Sequence, residues 1–457
     1  MVWRYSTEPS AHFDFYFSSA FNMPQNSLGI NTFRLIALAN YAVRDAPIRL
    51  FCRSDGGEVV EAKIKDMGGP EECLWHDIFV DCDFQVRSSV ATIFGDTNAE
   101  EMIISESQVE KIYPLVVCYP RMFYFENWQT FLISIEVYRH FGVNRFSIPI
   151  VSVIEELYTI LEHYEHHGLV KLKEGVVLPL IQNQNPNTQT DFFNQMIHQH
   201  ECLYENRESE FIVFVDVDDL IIPRDHSTLF EELRGHSQRF PLASSFEFLW
   251  SRFNVPKVKH PNEFNIQEFL LQVHYAEDDE TVGKSAVRPQ RLNAGLMHRP
   301  FFPKREINGN FTHIVLDSNS TRTIHLRSRM DAFENRTSTT YFQALDFSGI
   351  TDHLRWFLSL NHHVYQVFLR LPTELDFLTK MIECAQKIDL EMIERRLTGC
   401  PNPLQCEDQL RPIKRSCTVV KHVYQTVELQ TACPTCILTL HSSVKKNLQI
   451  QQSCSVY

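Results

Sequence analysis

The stretch "FIVFVDVDDLIIP", residues 211–223, decides the fold class because it places three acids inside what otherwise reads as a buried strand. Its first five residues are large and apolar, and "LIIP" follows the acids with more apolar side chains. Asp216, Asp218 and Asp219 lie between the two apolar runs. Since burial of unpaired carboxylates is prohibitive in free energy, the sequence predicts that something positively charged compensates them.

Composition and charge narrow the classes of partner. The 457 residues suggest roughly two to three domains, and 44% apolar with 22% charged residues are ordinary for a globular protein. The net charge of -14 argues against nucleic acid as the main partner, because phosphate backbones bind to basic surfaces. Neither an apolar run of membrane-helix length nor a signal-peptide core is found, which by itself favours a soluble cytosolic protein.

The cysteines favour an oxidising compartment instead. The chain has 12 cysteines, and five of them fall in one short stretch near the C-terminus: Cys400, Cys406, Cys417, Cys433 and Cys436. Dense cysteines among prolines predict disulfides, whereas a zinc site would need repeated ligand spacings and only one Cys-x-x-Cys is present. Three glycosylation sequons agree with a lumenal protein: Asn310, Asn319 and Asn335.

From "YPLVVCYP" onward, predicted strands and helices alternate, after a β-rich lead-in with turn signals. Apolar residues at helical spacing predict helices in "ENWQTFLISIEVYRHFG" and "SVIEELYTILEHYEHHG", which end at Gly142 and Gly168. The strands "VNRFSIPI" and "LVKLKEGVV" follow these helices, and a third amphipathic stretch, 191–204, precedes the strand at 211–215. This βαβαβ order predicts an α/β fold with a doubly wound, mostly parallel sheet and ligands at the carboxyl ends of its strands.

Asp216 and Asp218 then lie where such a sheet binds its ligands. Residues two apart on an extended chain point the same way, so we expect both carboxylates to converge on a site for a hard cation. The alternative is that these acids cap the next helix or face water. The apolar residues on both sides favour the cation site.

Several ordered features between about residues 112 and 375 resemble the glycosyltransferase family 92 domain. They are "VCYPRMFYFENWQTFLISIEVYRHFGVNRFSI", "HYEHHGLV", "FFNQMIHQHECLYENRESEFIVFVDVDDLIIP" and "KSAVRPQRLNAGLMHRP". The cysteine-bearing tail resembles the segment that comes after the domain in many members. The resemblance implies a GT-A-like fold with a catalytic domain at 112–375, flanked by the β-rich region 1–111 and the cysteine-rich region 376–457.

The resemblance also implies an activity. Members are expected to transfer a sugar, typically galactose from UDP-galactose, to a glycan hydroxyl with inversion, using manganese bound at Asp-x-Asp. This chain departs from the family at two places. Asp219 stands where Glu is usual, and Glu201-Cys202 stands where Asp-Cys is common.

By the same resemblance, Asp216 is expected near the ribose and the metal, and Asp218 is expected to ligate Mn²⁺. His298 in "GLMHRP" matches the position of a late third metal ligand, and Lys284 in "GKSAVRP" is a candidate diphosphate contact. An imidazole suits manganese. For both residues the plain alternative is an ordinary surface or core side chain.

Inverting transfer needs one general base for the acceptor hydroxyl. Glu247 in "SSFEFLWSRF" follows the acidic strand within an apolar run, where burial raises the pKa of a carboxyl group, so we predict that it is the base. The acids of "HYAEDDET" (Asp278, Asp279 and Glu280) are the alternative and are predicted to form a solvated loop. Trp128 and Trp250 are candidates for sugar stacking, although helical spacing favours a core position for Trp128.

Other readings fit less well. A haloacid-dehalogenase-type phosphatase wants Thr or Val where Leu220 stands, and a calcium loop wants a Gly and a distal Glu that "DVDDLIIP" lacks. The second hypothesis is a catalytically decayed GT-A-fold protein of the secretory pathway that binds glycans.

The partners expected by resemblance are a UDP-sugar donor and a glycan or glycoprotein acceptor. The family is usually found as a single-pass type II protein of the Golgi membrane, although no such anchor is seen in this chain.

Overall fold

The structure is a computed structural model, and it describes most of the chain. The described residues are 12–23, 29–40, 48–68, 70, 72–96, 100–109, 111–181, 184–257, 259–294, 305–306, 309–317, 321–327, 342, 345–393, 399–429 and 437–456. In these ranges no helix is both long enough and apolar enough to cross a membrane.

The N-terminal region is built of strands, as predicted. They are β1 (His12–Asn22), β2 (Asn31–Asn40), β3 (Phe51–Ser54), β4 (Val59–Glu61), β5 (Lys63–Asp66), β6 (Trp75–Phe84), β7 (Val90–Phe94) and β8 (Glu101–Ser105). Strands β4-β3-β7-β8 form a four-stranded sheet, and its buried Cys52 and Ile93 share a core with Phe15, Phe33 and Val80 of β1, β2 and β6. The shared core makes this region a β-sandwich.

The predicted βαβαβ order is confirmed in the central region. Its first elements are β9 (Leu115–Cys118), α1 (Trp128–His140), β10 (Phe146–Ile150), β11 (Ser152–Ile154), α2 (Glu155–His166), β12 (Val170–Glu174), α3 (Gln195–Glu205) and β13 (Phe211–Phe214). Strands β12-β10-β9-β13 lie side by side and parallel in that order. The chain reverses the strand order between β9 and β13, which opens a crevice at their carboxyl ends.

Helices cover both faces of these strands, so the sheet is doubly wound. Val117 and Val213 face a core that includes Phe131 of α1 and Leu161 of α2. Their neighbours Val116 and Ile212 face the opposite side and pack with apolar residues of α3. This alternation is why the strands read as continuous apolar runs in the sequence.

The other half of the sheet combines antiparallel and parallel pairs, and five of the eight strand pairings of this sheet in the described residues are parallel, as expected of a mostly parallel sheet. Its elements are β14 (Asp219–Ile221), α4 (Leu229–Arg239), β15 (Ala243–Asn254), α5 (Ile266–Gln272), β16 (His274–Val287), β17 (Arg305–Glu306), β18 (Gly309–Asn310), β19 (Thr312–Val315) and β20 (Thr323–Arg327). The sheet continues β13-β16-β15-β20-β14, and β19 also pairs with β15. Strand β16 pairs with β13 on one side and with β15 on the other, and it runs antiparallel to both. The sheet is therefore mixed.

The C-terminal region consists of helices and a final pair of long strands. It comprises α6 (Ile350–Ser359), α7 (His362–Phe368), α8 (Asp376–Ile393), α9 (Glu407–Leu410), β21 (Cys417–Leu429) and β22 (Ile437–Gln451). Strands β21 and β22 enter a seven-stranded sheet, ordered β11-β21-β22-β1-β2-β6-β5, between central and N-terminal strands. The tail is thus joined to both other regions through backbone hydrogen bonds, and the division into the three predicted regions stays a prediction.

Disulfides form in the tail, as expected. Five described cysteines of the region 376–457 are bonded, in the pairs Cys73–Cys400, Cys384–Cys406 and Cys417–Cys454. Two further pairs are Cys52–Cys82 and Cys118–Cys202. Some residues of interest lie outside the described ranges: Cys433, Cys436, Asn319 and Asn335.

We predict that replacing Cys73 and Cys400 together with alanine lowers the free energy of unfolding by about 2–5 kcal/mol. The bond joins residues 327 positions apart, so it removes much conformational freedom from the unfolded chain. Both sulfur sites are buried, and alanine keeps them apolar. Urea unfolding under non-reducing conditions measures the loss.

The matched control is the double alanine variant of Cys52 and Cys82, whose bond spans only 30 positions and should contribute less. A non-reducing peptide map that lacks the Cys73–Cys400 linkage would contradict this pairing.

Candidate metal and nucleotide site

The acids of the opening stretch lie in a tight turn at the carboxyl end of the central strand β13. The Asp219 backbone N–H donates to the Asp216 carbonyl oxygen at 3.0 Å, and β14 begins at Asp219. The backbone is therefore not extended at this point, contrary to the expectation from the spacing of the two acids. The Asp216 N–H in turn donates to Asp219 Oδ2 at 3.2 Å, so the Asp219 side chain holds the turn together.

A buried ammonium group compensates two of the three acids. Lys284 Nζ lies 2.5 Å from Asp216 Oδ2 and 3.3 Å from Asp219 Oδ2. The side chains of Lys284 and Asp219 are both 0% exposed, whereas that of Asp216 is 34% exposed. Lys284 reaches the acids because its strand, β16, pairs with β13 and Ser285 lies opposite Phe214.

An imidazole completes the cluster from a strand that is distant in sequence. His325 on β20 lies opposite Asp219 on β14, and its Nδ1 is 2.9 Å from Asp219 Oδ1 and 4.0 Å from Asp218 Oδ1. One ligand atom each from Asp218, Asp219 and His325 falls within 4.8 Å of the others. The ring of Trp250 stacks on His325 with centroids 4.5 Å apart and fixes the plane of the imidazole.

The charges of the cluster shift one another's pKa values. Burial alone would raise the pKa of Asp219, but the charges of Lys284 and His325 lower it below its usual value. Burial alone would lower the pKa of His325, but Asp218 and Asp219 raise it. The pKa of Asp218 is raised to about 6 by burial, and the like charges of Asp219 and Asp216 add to this effect while His325 opposes it. Asp218 is therefore the acid that the protein itself compensates least.

Donor chemistry favours a hard or borderline divalent cation here. Carboxylate oxygens with one imidazole nitrogen suit manganese or magnesium, and no thiolate is among the three clustered groups. The side chain of Asp218 is 38% exposed, so it can reach a bound ion. Asp218 and His325 are the residues that would hold such a cation, with Asp219 orienting His325.

A cavity of about 310 Å³ opens beside the cluster and is lined by Asp216, Asp218 and His325. Its remaining lining residues come from the loop after β9, the start of α1, the acidic turn and the first turns of α8: Pro120, Arg121, Met122, Phe123, Tyr124, Phe125, Glu126, Asn127, Thr130, Val217, Phe377, Leu378 and Met381. A volume of this size suits a small ligand or part of a larger one.

One wall of the cavity belongs to the C-terminal region. Phe377, Leu378 and Met381 are on α8. The buried carboxylate of Glu126 fixes this helix, because its Oε1 accepts from the Leu378 N–H at 3.0 Å and its Oε2 lies 3.5 Å from Arg415 Nε. Burial raises the pKa of Glu126 to about 7.

Glu247 is not brought to the cluster. It pairs with Ser285 across β15 and β16, so its side chain lies on the opposite face of the sheet from Lys284. Its Oε2 is 2.9 Å from His313 Nε2, and His313 Nδ1 is 2.8 Å from the Ser245 hydroxyl. The geometry assigns Glu247 to this hydrogen-bonded chain, and its role as general base stays a prediction.

The other predicted residues lie in varied places. Trp128 is fully buried and donates from Nε1 to the Pro372 carbonyl oxygen, so it is a core residue. Asp278 and Asp279 belong to β16 and not to a loop, and both pair with β15 residues. His298 lies outside the described ranges.

Sequence reasoning missed His325 and Arg121 as residues of this site. His325 is 106 positions from Asp219, and only strand pairing brings them together. The signal for Arg121 was available, since it closely follows the apolar run "PLVVC" at the carboxyl end of a predicted strand.

We predict that Asp218→Asn raises the melting temperature of the metal-free protein by about 1–3 °C near pH 8. The folded-state pKa of Asp218 is about 6, above its ordinary value, so the ionised carboxylate destabilises the fold. This destabilisation is complete above about pH 6 and disappears as the pH falls towards about 4, where the carboxyl is protonated in the folded and unfolded states. Thermal unfolding in a chelator across this range measures the difference.

The matched control is Asp225→Asn, which makes the same change at an exposed position near the turn and should leave the melting temperature unchanged. A variant of Asp218 that is less stable than the parent at every pH would show that this carboxylate only supports the turn.

Sequence comparison finds relatives of this chain that carry the same family name. The chain is 28% identical over 304 residues to Glycosyltransferase family 92 protein F13G3.3 of Caenorhabditis elegans, with 64% of this chain and 59% of that protein covered. It is 25% identical over 324 residues to Glycosyltransferase family 92 protein C33H5.2 of the same organism, with 65% and 62% covered. The chain therefore spans about three fifths of the length of these relatives.

Among solved structures, the chain is similar to the crystal structure of S. aureus TarS 1-349. The identity is 11% and the TM-score 0.28, with 56% of this chain and 71% of that chain covered. The sequence profile of Glycosyltransferase family 92 matches residues 113–356, which is more than half of the chain and contains the whole acidic cluster. The protein belongs to glycosyltransferase family 92.

Proposed function

We propose that this protein is a metal-dependent glycosyltransferase that moves a sugar from a UDP-sugar to a hydroxyl group of a glycan. The observation that carries the proposal is the cluster of Asp216, Asp218, Asp219 and His325 at the carboxyl end of a central strand, beside a cavity. Family membership supports the same chemistry. In this proposal the cation is Mn²⁺, the donor sugar is galactose and the transfer inverts the anomeric centre, as the resemblance implies.

The residues of the cluster have different tasks in this proposal. Asp218 and His325 hold the cation, which would neutralise the charge that grows on the leaving oxygen of UDP. Asp219 fixes the orientation of His325 through its hydrogen bond at 2.9 Å. Lys284 pairs with Asp216 and Asp219 and holds both carboxylates in place. Burial alone would raise the pKa of Asp219, and the charge of Lys284 helps to lower it.

The aromatic wall of the cavity supports a sugar ligand. Phe123 and Phe125 follow the end of β9, line the cavity and are half-buried, whereas the other two aromatic lining residues, Tyr124 and Phe377, are buried. Aromatic rings bury the apolar faces of sugars and leave the hydroxyl groups to polar neighbours such as Asn127 and Thr130.

We also propose that the protein works in the lumen of the secretory pathway, in the Golgi as the resemblance implies. The five disulfides in the described residues support an oxidising compartment.

The test is a donor screen with the purified protein, Mn²⁺ and a panel of UDP-sugars that includes UDP-galactose, with glycan acceptors. We expect metal-dependent release of UDP and transfer to the acceptor. We predict that Asp218→Asn and His325→Gln each lower turnover by about 100-fold or more. A Lewis-acid contribution of several kcal/mol corresponds to at least about two decades of rate.

The control is Asp225→Asn, which is exposed and should retain full turnover. Glycan binding without turnover for any donor would instead favour the decayed, glycan-binding alternative. Full activity of Asp218→Asn would remove the assignment of the cluster as the metal site.

A further inference from the structure

Arg121 is a half-buried cation that makes no ion pair with the described residues. Its Nη1 donates to Gln195 Oε1 at 3.3 Å, and its Nε is buried without a hydrogen-bond partner among the described residues. Burial lowers the pKa of Arg121 to about 10, and the more distant charges of Asp216 and Asp191 only partly offset this. An arrangement of this kind is unfavourable in the ligand-free protein.

Arg121 faces the same cavity as the acidic cluster. The cavity lining contains three acids, Glu126, Asp216 and Asp218, and Arg121 is its one Arg or Lys residue among the described lining residues. It closely follows β9, the parallel neighbour of β13, so both strands end at this crevice. Two half-exposed carboxylates would repel an anionic ligand unless a cation stands beside them.

The position of Arg121 is fixed by a strained segment. Its guanidinium carbon lies 5.6 Å from the centre of the Phe193 ring, which also packs on Phe123 with centroids 5.0 Å apart. Phe192, Phe193 and Asn194 all have positive φ angles, of 38°, 52° and 63°. Such a backbone persists only where its surroundings hold it, and Asn194 is buried and donates to the Val176 carbonyl oxygen at 3.1 Å.

Lys284, the candidate diphosphate contact from the sequence, is differently placed. Its side chain is 0% exposed, it is not among the cavity-lining residues, and two carboxylates already lie within 3.3 Å of its ammonium group. A phosphate could contact it only by displacing Asp216 or Asp219.

We propose that Arg121, and not Lys284, is the cation that binds the diphosphate of the nucleotide donor. This inference rests on the proposed function, because it takes the donor to be a nucleoside diphosphate sugar. A guanidinium group presents N–H donors in a planar fork that matches two phosphate oxygens, and it stays charged when buried. Arg121 is then a binding residue whose missing ion pair is supplied by the ligand.

The proposal predicts opposite effects on stability and on binding. Arg121→Gln removes a half-buried cation that makes no ion pair with the described residues, so the ligand-free variant should be at least as stable as the parent. An arginine with a structural role would give a lower melting temperature. In binding, the variant should lose affinity only for ligands that carry the diphosphate.

The experiment is calorimetric titration of uridine, UMP and UDP, with Mn²⁺ present, into the parent, Arg121→Gln and Arg121→Lys. We expect Arg121→Gln to weaken UDP binding by about 10- to 100-fold, as for the loss of charge-assisted hydrogen bonds, and to leave uridine binding within about twofold. Arg121→Lys, which keeps the charge without the fork, should fall in between. The control is Arg234→Gln, because Arg234 is exposed and paired with Glu210, and it should bind all three ligands as the parent does.

The outcomes separate this inference from the proposed function. If Arg121→Gln keeps the parent's preference for UDP over uridine, the assignment of Arg121 is wrong while the proposed function stands. Equal weakening of uridine and UDP, together with a lower melting temperature, would show a structural role and also overturn it. A parent that binds none of the three ligands would overturn the proposed function and this inference with it.

Discussion

The buried ion pair between Lys284 and the acids of the β13–β14 turn is the interaction on which the site depends. Asp219 is fully buried in a core sheet, and without a cation its charge would destabilise the fold by several kcal/mol. The ammonium group arrives because β16 runs antiparallel beside β13. An antiparallel neighbour of the central strand thus supplies the lysine that compensates the acidic turn.

The three acids between residues 216 and 219 therefore have different roles. Asp219 is structural: its carboxylate closes the turn, accepts from His325 and pairs with Lys284. Asp218 is the least compensated and the most exposed of the three, and burial raises its pKa to about 6, so a bound cation would stabilise its ionised form. Arg121 shows the same relation with the opposite charge. The site thus combines Asp218, whose charge is poorly compensated, with Arg121, which makes no ion pair with the described residues. This is the pattern expected of a site for a metal and a diphosphate.

The regions around the central sheet also contribute to the site. The C-terminal helix α8 supplies one wall of the cavity, and Glu126 anchors its first turn. Strands β21 and β22 bind this region to the N-terminal sandwich, and the Cys73–Cys400 bond fixes the same connection covalently. Cys118–Cys202 links the end of β9, which borders the crevice, to α3. A variant that loosens the tail is therefore expected to disturb the ligand site as well as stability.

The sequence by itself determined the local elements and the place of the acids. Apolar spacing predicted β9, α1, β10, α2, β12 and β13 in the correct order, because periodicity and glycine stops are local properties of the chain. The position of the acids after a buried strand predicted a site at the carboxyl end of the sheet. The density of tail cysteines predicted disulfides, but their partners Cys73, Cys384 and Cys454 could not be read from spacing.

Only the tertiary structure decided which side chains meet. His325 joins Asp219 through the pairing of β20 with β14, Lys284 joins it through β16, and Glu247 is directed to the opposite face of the sheet. The difference between Lys284, which is fully compensated, and Arg121, which is not, is equally invisible in a linear chain. The physical reason is that strand pairing and charge compensation depend on contacts between residues tens to hundreds of positions apart, whereas periodicity and turn chemistry act over a few residues.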